Sequence, residues 1–142
     1  QVLELFKGIQ QKLGLAIVMV THDLGVVAEM CDTVVVMYGG KVAEYGSAER
    51  VYNQPQHPYT QRLLEAFPDL NRSVDTEAGQ DLATIPGTPP RLNALPPGCR
   101  FSPRCHKSTD ICTQVAPQLI DMSESNVQHL AACHLLHAES KA

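Results

Sequence analysis

Apolar residues recur near helical spacing at the start of the chain, at Val2, Leu3, Leu5, Phe6, Ile9 and Leu13, and Gly14 follows as a C-terminal stop. The spacing predicts an amphipathic helix. Leu15-Ala16-Ile17-Val18-Met19-Val20 is a continuous apolar run rich in branched residues, which predicts a short strand covered on both faces and delivers Thr21, His22 and Asp23 at its end. A second helix is expected over Leu24 to Cys31 and a second buried strand over Thr33 to Tyr38. That strand–helix–strand order predicts a parallel α/β sheet. Gly39-Gly40 marks a tight turn, and Lys41 to Tyr45 alternates polar and apolar as a hairpin partner with one solvated face does.

Ser47 is placed to cap a short helix running through Tyr52. Another helix is expected after His57, with Pro58 at its first position, Leu63 and Leu64 along it, and Pro68 stopping it after Phe67. From there to Pro97 the composition turns to Asp, Glu, Gly, Thr and Pro, and Ile85-Pro86-Gly87-Thr88-Pro89-Pro90 cannot sustain a helix. The chain therefore divides into an α/β region over 1–67, a Pro/Gly-rich linker or arm over 68–97, and a small irregular cysteine-bearing segment over 98–142. The last segment has few large apolar residues and is expected to need a cross-link or metal to fold.

Composition narrows the function classes. At 142 residues, with 44% hydrophobic and 5% aromatic, there is material for one modest core. The formal charge of −4, with no Lys/Arg cluster, argues against nucleic acid as a partner, because phosphate binding needs a basic surface. The longest apolar run, Leu15 to Val20, is far short of the roughly 20 residues that span a bilayer. The first residue is Gln1 and the pattern of a signal peptide is missing, so the sequence is expected to be a fragment of something longer.

Two groups of residues carry candidate chemistry. His22 stands just after an apolar run, and ligands of parallel α/β sheets bind outside the carboxyl ends of strands. A neutral imidazole there can donate to a phosphate oxygen and accept from an attacking water. Asp23 either orients that ring or caps the following helix. The second group is Cys99-x5-Cys105-x6-Cys112-x20-Cys133. Zinc pairs usually sit about two to four residues apart, so this spacing is no standard zinc pattern, nor the common ferredoxin run. Four thiolates can nevertheless hold either a tetrahedral Zn²⁺ or a [4Fe–4S] cube. Arg100 and Arg104 are either charge partners for such a group or ordinary surface residues, and His106, His129, His134 and His137 are substitute ligands. Cys31 stands apart and reads as packing.

Ile17-Val18-Met19-Val20-Thr21-His22-Asp23-Leu24, followed by Val34-Val35-Val36-Met37-Tyr38-Gly39-Gly40-Lys41, resembles the switch region, or H-loop, of ABC transporter ATPases. Pro55-Gln56-His57-Pro58-Tyr59-Thr60, and Ile85-Pro86-Gly87-Thr88-Pro89-Pro90 ahead of Gly98-Cys99, resemble the C-terminal extension of the oligopeptide and dipeptide importers among them. The resemblance covers nearly the whole chain. It implies the C-terminal part of an ABC-type (P-loop NTPase) nucleotide-binding domain over 1–67, carrying the four-cysteine extension over 98–142.

By the same resemblance His22 aligns with the switch histidine, which is catalytic and contacts the γ-phosphate of ATP. Cys99, Cys105, Cys112 and Cys133 align with cysteines that hold an iron–sulfur cluster in some members, with Zn²⁺ as the alternative; His106 stands where members often have Pro. ATP and Mg²⁺ are implied for a complete subunit. A second ABC ATPase subunit and membrane permease subunits are implied as partners, with a periplasmic or surface peptide-binding protein engaged indirectly. The implied location is peripheral, on the cytoplasmic face of the inner membrane. Hydrolysis in this class also needs a Gly-rich phosphate loop, a signature motif and an acidic strand end. None of these motifs occurs in the sequence, so the chain is not expected to hydrolyse ATP alone. From another class, a stand-alone four-cysteine metal-binding module would use the α/β region only as scaffold. A Cys/His hydrolase would need one activated thiol beside His22.

Overall fold

Alternation, turn chemistry and capping account for most of what forms between Val2 and Glu65. In the computed structural model, which describes residues 2–66, 84–91, 93–123 and 127–136, α1 (Val2–Leu13) ends at Gly14, whose φ is +63°. Glycine alone takes that conformation without a Cβ penalty. α2 (Leu24–Met30) is capped by Asp23, whose Oδ1 accepts from the amides of Gly25 and Val26 at 2.8 and 3.2 Å. Lys7 of α1 pairs with Glu29 of α2 at 3.1 Å.

β1 (Thr33–Tyr38) and β2 (Lys41–Ser47) form an antiparallel hairpin across Gly39-Gly40, both with positive φ as a two-residue hairpin turn requires. Ser47 Oγ accepts from the Arg50 amide at 3.2 Å and starts α3 (Ala48–Asn53). His57 caps α4 (Pro58–Glu65). Phe67 and Pro68 lie outside the described residues. Val34, Val36 and Val51 make the first core, with Val27 and Cys31 from α2 and its end, Ala48 from α3, and Tyr59 and Leu63 from α4 packed on them. Cys31 is thus a half-buried packing residue at the end of α2.

Three expectations need correction. Leu15–Val20 is not a strand: it pairs with nothing among the described residues, and Val18 and Val20 are 92% and 97% exposed. A strand covered on both faces needs ladder partners at its edges and layers above and below, and the described residues supply neither. The sheet is accordingly antiparallel, not parallel, in the order β1-β2-β4-β3. β1 is also covered on one face only, burying Val34, Val36 and Tyr38 while Val35 and Met37 stay exposed.

A further correction concerns β2. Val36 lies opposite Glu44 and Met37 opposite Val42, so Ala43 is an extra residue that bulges the strand. A bulge reverses which face the following residues occupy. Glu44, which simple alternation places on the solvated side, is turned inward and is fully buried.

The cysteine-bearing segment completes the sheet. It contains a 3-10 turn (Ser102–Arg104), α5 (Asp110–Gln114), β3 (Ile120–Asp121) and β4 (His129–Ala131). β4 pairs with β2 through Glu44↔Ala131, Tyr45↔Leu130 and Gly46↔His129, and Ala132 donates to the Ala43 carbonyl at 2.8 Å. A second core of Ala131, Cys133 and Leu136 gathers Ile120 and Met122 beneath it. Among the described residues no helix is long and apolar enough to cross a membrane.

Candidate functional site

His22 sits between the unpaired run and α2, exposed to solvent. Its neighbours are locally ordered: the Asp23 amide donates to Thr21 Oγ1 at 3.0 Å while the Asp23 carboxylate caps α2. Of the two roles open to Asp23, the structure supplies the cap. His22 makes no hydrogen bond or ion pair among the described residues, so nothing within them orients its ring for catalysis.

The four clustered cysteines are brought together. Cys99, Cys105, Cys112 and Cys133 all line one small cavity of about 20 Å³, although they are spread over the last third of the chain. Gly98 makes this convergence sterically feasible: a Cβ there would stand 2.3 Å from the Cys112 carbonyl oxygen. Only glycine allows the two backbones to approach so closely, and the Cys99 amide then donates to that same carbonyl at 2.8 Å. Thr109 Oγ1 lies 3.3 Å from Cys112 Sγ.

Burial pushes the Cys99, Cys105 and Cys133 thiols above the usual range, and their mutual proximity adds to it. Backbone amides of Phe101 and Ser102, of Lys107 and of Leu135 act in the opposite direction on Cys99, Cys105 and Cys133 respectively. Raised thiols are poor nucleophiles at neutral pH, which counts against a Cys/His hydrolase. No group of three or more His, Cys, Asp or Glu among the described residues is arranged to hold a metal ion. The expected ligands therefore share a cavity without forming a closed coordination shell.

The histidines weighed as substitute ligands have other duties. His106 Nδ1 accepts from Arg62 Nε at 3.4 Å, and His134 Nε2 lies 2.8 Å from the Val115 carbonyl oxygen. His137 lies outside the described residues. His129 is 1% exposed and its Nε2 meets Glu44 Oε1 at 2.7 Å. Arg100 and Arg104 are structural ties: Arg100 donates to the Gly39 carbonyl, and Arg104 donates to Pro86 at 2.9 Å, Ile85 at 2.8 Å and Tyr38 Oη at 3.2 Å.

A buried polar centre behind the cysteines has no counterpart in the sequence reading. The Glu44 carboxylate accepts from the Gln56 amide at 2.8 Å, from the His57 amide at 3.0 Å and from His129. His57 Nδ1 accepts from the Tyr59 amide at 3.0 Å, and its ring also bonds the Ala132 backbone. Burial lowers the His57 pKa to about 4, with Glu44 opposing the shift, so the ring is neutral at pH 7. The Phe101 ring packs against His57, Tyr38 and Tyr59 at centroid distances of 6.0, 5.1 and 5.3 Å. The cysteine cavity thus shares His57 as a wall with the hairpin core. The bulge at Ala43 is the signal that was missed, and a single sequence does not display it.

The bulged part of β2, the capped α4 and three of the four clustered cysteines fall within one stretch of the chain, from Ala43 to Cys112. Residues 43–112 match the family described as "Oligopeptide/dipeptide transporter, C-terminal region", and the chain belongs to that family. It is 43% identical over 129 residues to the oligopeptide transport ATP-binding protein OppD of Haemophilus influenzae, which covers 91% of this chain and 38% of that protein. It is 45% identical over 135 residues to the dipeptide transport ATP-binding protein DppD of Bacillus subtilis, covering 95% of this chain and 38% of the relative. Against OppD of Salmonella typhimurium the identity is 48% over 117 residues, 82% of this chain and 33% of the relative. The chain spans little more than a third of the length of these relatives.

Proposed function

We propose that the chain is part of the ATP-binding subunit of a peptide-importing ABC transporter, and that the whole subunit couples ATP binding and hydrolysis to peptide uptake. The observation that carries this is identity of 43–48% to peptide-transport ATP-binding proteins over most of the chain. The apolar surface left open by α1 and by Leu15–Val20 supports it. A branched run of that composition, unpaired and exposed, suits a strand entering a sheet supplied by the portion of the relatives that this chain does not span. That reading also restores the parallel-strand context in which Thr21-His22-Asp23 lies at a carboxyl end.

In the whole subunit His22 acts as the γ-phosphate switch: the imidazole donates to a γ-phosphate oxygen and holds the attacking water in line. Mg²⁺ and the phosphate-binding loop come from outside these residues. Partners of such a subunit are a second ATPase subunit and membrane permeases, and its place is peripheral, on the cytoplasmic face of the inner membrane. The test is His22→Ala in the full-length subunit. Hydrolysis is expected to fall at least a hundredfold while nucleotide affinity stays within about threefold, since the lost contact serves γ-phosphate chemistry and not anchoring. Undiminished turnover removes His22 from the mechanism.

For Cys99, Cys105, Cys112 and Cys133 the proposed ligand is a [4Fe–4S] cluster. Its support is donor chemistry: four thiols face one cavity, with backbone amides directed at three of them, as sulfur ligands of such clusters commonly have. The cavity of about 20 Å³ has room for about one water, so the loops would have to rearrange around the cluster. When bound it would cross-link the segment. Anaerobic purification with iron and sulfide analysis checks this, and colourless protein with stoichiometric zinc refutes it. The comparisons lend nothing to a stand-alone metal-binding module.

A further inference from the structure

Between the β1–β2 hairpin and the cysteine-bearing segment lies a half-open cavity of about 540 Å³, which adjoins the small cysteine cavity and shares His57, Cys99 and Phe101 with it as walls. Its size falls within the roughly 300–1,000 Å³ of small-molecule sites. Its walls are mainly apolar, with Val42 on the hairpin side and Pro96, Pro97, Phe101, Pro117 and Leu119 facing it. Proline and aromatic walls lose little conformational freedom when covered, so a ligand laid on them avoids much of the ordering cost of binding.

The charge of the lining is one-sided. Lys41 and Arg100 both line the cavity and, among the described residues, no Asp or Glu does, in a chain whose formal charge is −4. Arg100 is held at the hairpin turn by its bond to the Gly39 carbonyl, and it has no carboxylate partner among the described residues. Lys41 is exposed and has no hydrogen bond or ion pair among the described residues. Glu44, three residues along β2, directs its carboxylate to Gln56, His57 and His129 instead.

We propose that this cavity is a binding site for a small amphipathic carboxylate, its apolar body on the proline and phenylalanine walls and its carboxylate toward Lys41 and Arg100. The inference rests on the cavity and does not depend on the transport reading. Either a short apolar peptide with a free C-terminus or a medium-chain fatty acid supplies that chemistry, and the probes separate them.

The test is calorimetric titration of the chain at low salt with trileucine, trileucine amide and octanoate. Saturable binding of trileucine or octanoate in the millimolar range or tighter is expected, with the amide at least tenfold weaker than trileucine if the peptide binds. Trileucine alone identifies the peptide terminus, octanoate alone the fatty acid, and both together a general carboxylate site. Lys41→Glu is expected to weaken binding about tenfold, because it replaces an attractive charge by a repulsive one beside the ligand. Ala116→Trp, at an exposed lining position, is expected to abolish it by filling the cavity. Should Ala116→Trp fail to fold, Lys41→Glu decides alone. The proposal is overturned if neither carboxylate binds by about 10 mM, a concentration equivalent to less than 3 kcal/mol of affinity. It is equally overturned if the folded variants bind as the unaltered chain does, which would place the ligand on an apolar surface such as that of α1.

Discussion

Replacing Glu44 by alanine tests whether the buried polar centre holds the two parts of the sheet together. The carboxylate is fully buried and serves three donors, the amides of Gln56 and His57 and the ring of His129, at 2.8, 3.0 and 2.7 Å. Alanine leaves all three without an acceptor in a site closed to water. Each buried unsatisfied donor costs about 1–3 kcal/mol. Relaxation and water entry recover part of that sum, so a loss of about 3–5 kcal/mol is expected, the range for breaking a buried charged contact by removing one partner. Such a loss is a large share of the 5–15 kcal/mol typical of a domain. Urea unfolding followed by circular dichroism gives the magnitude, and hydrogen exchange gives the location: protection at Gln56 and His57 should fall first. Glu44→Gln keeps one acceptor oxygen but turns an amide donor toward one of the three donors, and is expected to cost about half as much. A loss below about 1 kcal/mol for Glu44→Ala, with protection at both amides unchanged, refutes the assignment of Glu44 as the organising group.

His57 makes stability depend on pH with a definite sign. Its folded pKa of about 4 lies below the ordinary 6.5, so the folded state binds fewer protons between those values, and stability falls as pH drops from 6.5 toward 4. The shift corresponds to about 3 kcal/mol at its full extent, and His57→Asn, which retains a capping oxygen for the Tyr59 amide, should flatten that part of the pH–stability curve in urea titrations. Gly98→Ala places a methyl 2.3 Å from the Cys112 carbonyl oxygen, so the backbones of residues 98 and 112–114 must separate. A loss of more than about 2 kcal/mol is expected, together with faster alkylation of Cys99 and Cys112 by a thiol reagent; wild-type stability and reactivity would show that the approach is not needed.

Local signals were legible in the sequence and long-range ones were not. The Gly39-Gly40 turn, the caps at Asp23 and Ser47, and Pro58 at a helix start all depend on one or two neighbouring residues, and each is found where the chemistry places it; the cap that His57 supplies is not among them. Leu15–Val20 has the composition of a buried strand, but a strand is completed by partners, and none is found among the described residues. The inward turn of Glu44 is not legible in the sequence, because alternation carries no mark of a bulge; one extra residue at Ala43 exchanges the two faces of β2. The cysteines were legible as a group, since four of five fall in the last third of the chain. Their shared wall with His57 was not, because it depends on β4 joining β2, a pairing across more than eighty residues of sequence that leaves no periodic trace.

That pairing gives the cysteine segment a mechanical consequence even without chemistry of its own. Cys133 follows directly on the residues that hydrogen-bond to Ala43, and His129 on the same strand reaches Glu44, whose other oxygen holds the first amide of the α4 cap. Phe101, between Cys99 and Cys105, packs on Tyr38 at the hairpin turn and on Tyr59 in α4. Whatever fixes the four thiols therefore stiffens β2, the hairpin turn and the start of α4 together, because each contact closes a loop between segments distant in sequence and lowers the entropy of the open state. His22 shares none of these bonds. The cysteine segment thus bears on the rigidity of the hairpin and α4, and the histidine is linked to them through α2, which packs on the hairpin core by Val27 and Cys31 and is tied to α3 by Tyr52 donating to the Leu24 carbonyl. Tyr52→Phe in the full-length subunit should for this reason loosen coupling between the two ends, detectable as hydrogen exchange at residues 22–26 that no longer responds to loss of the cysteines, whereas an unchanged response would show that the two ends communicate by another route or not at all.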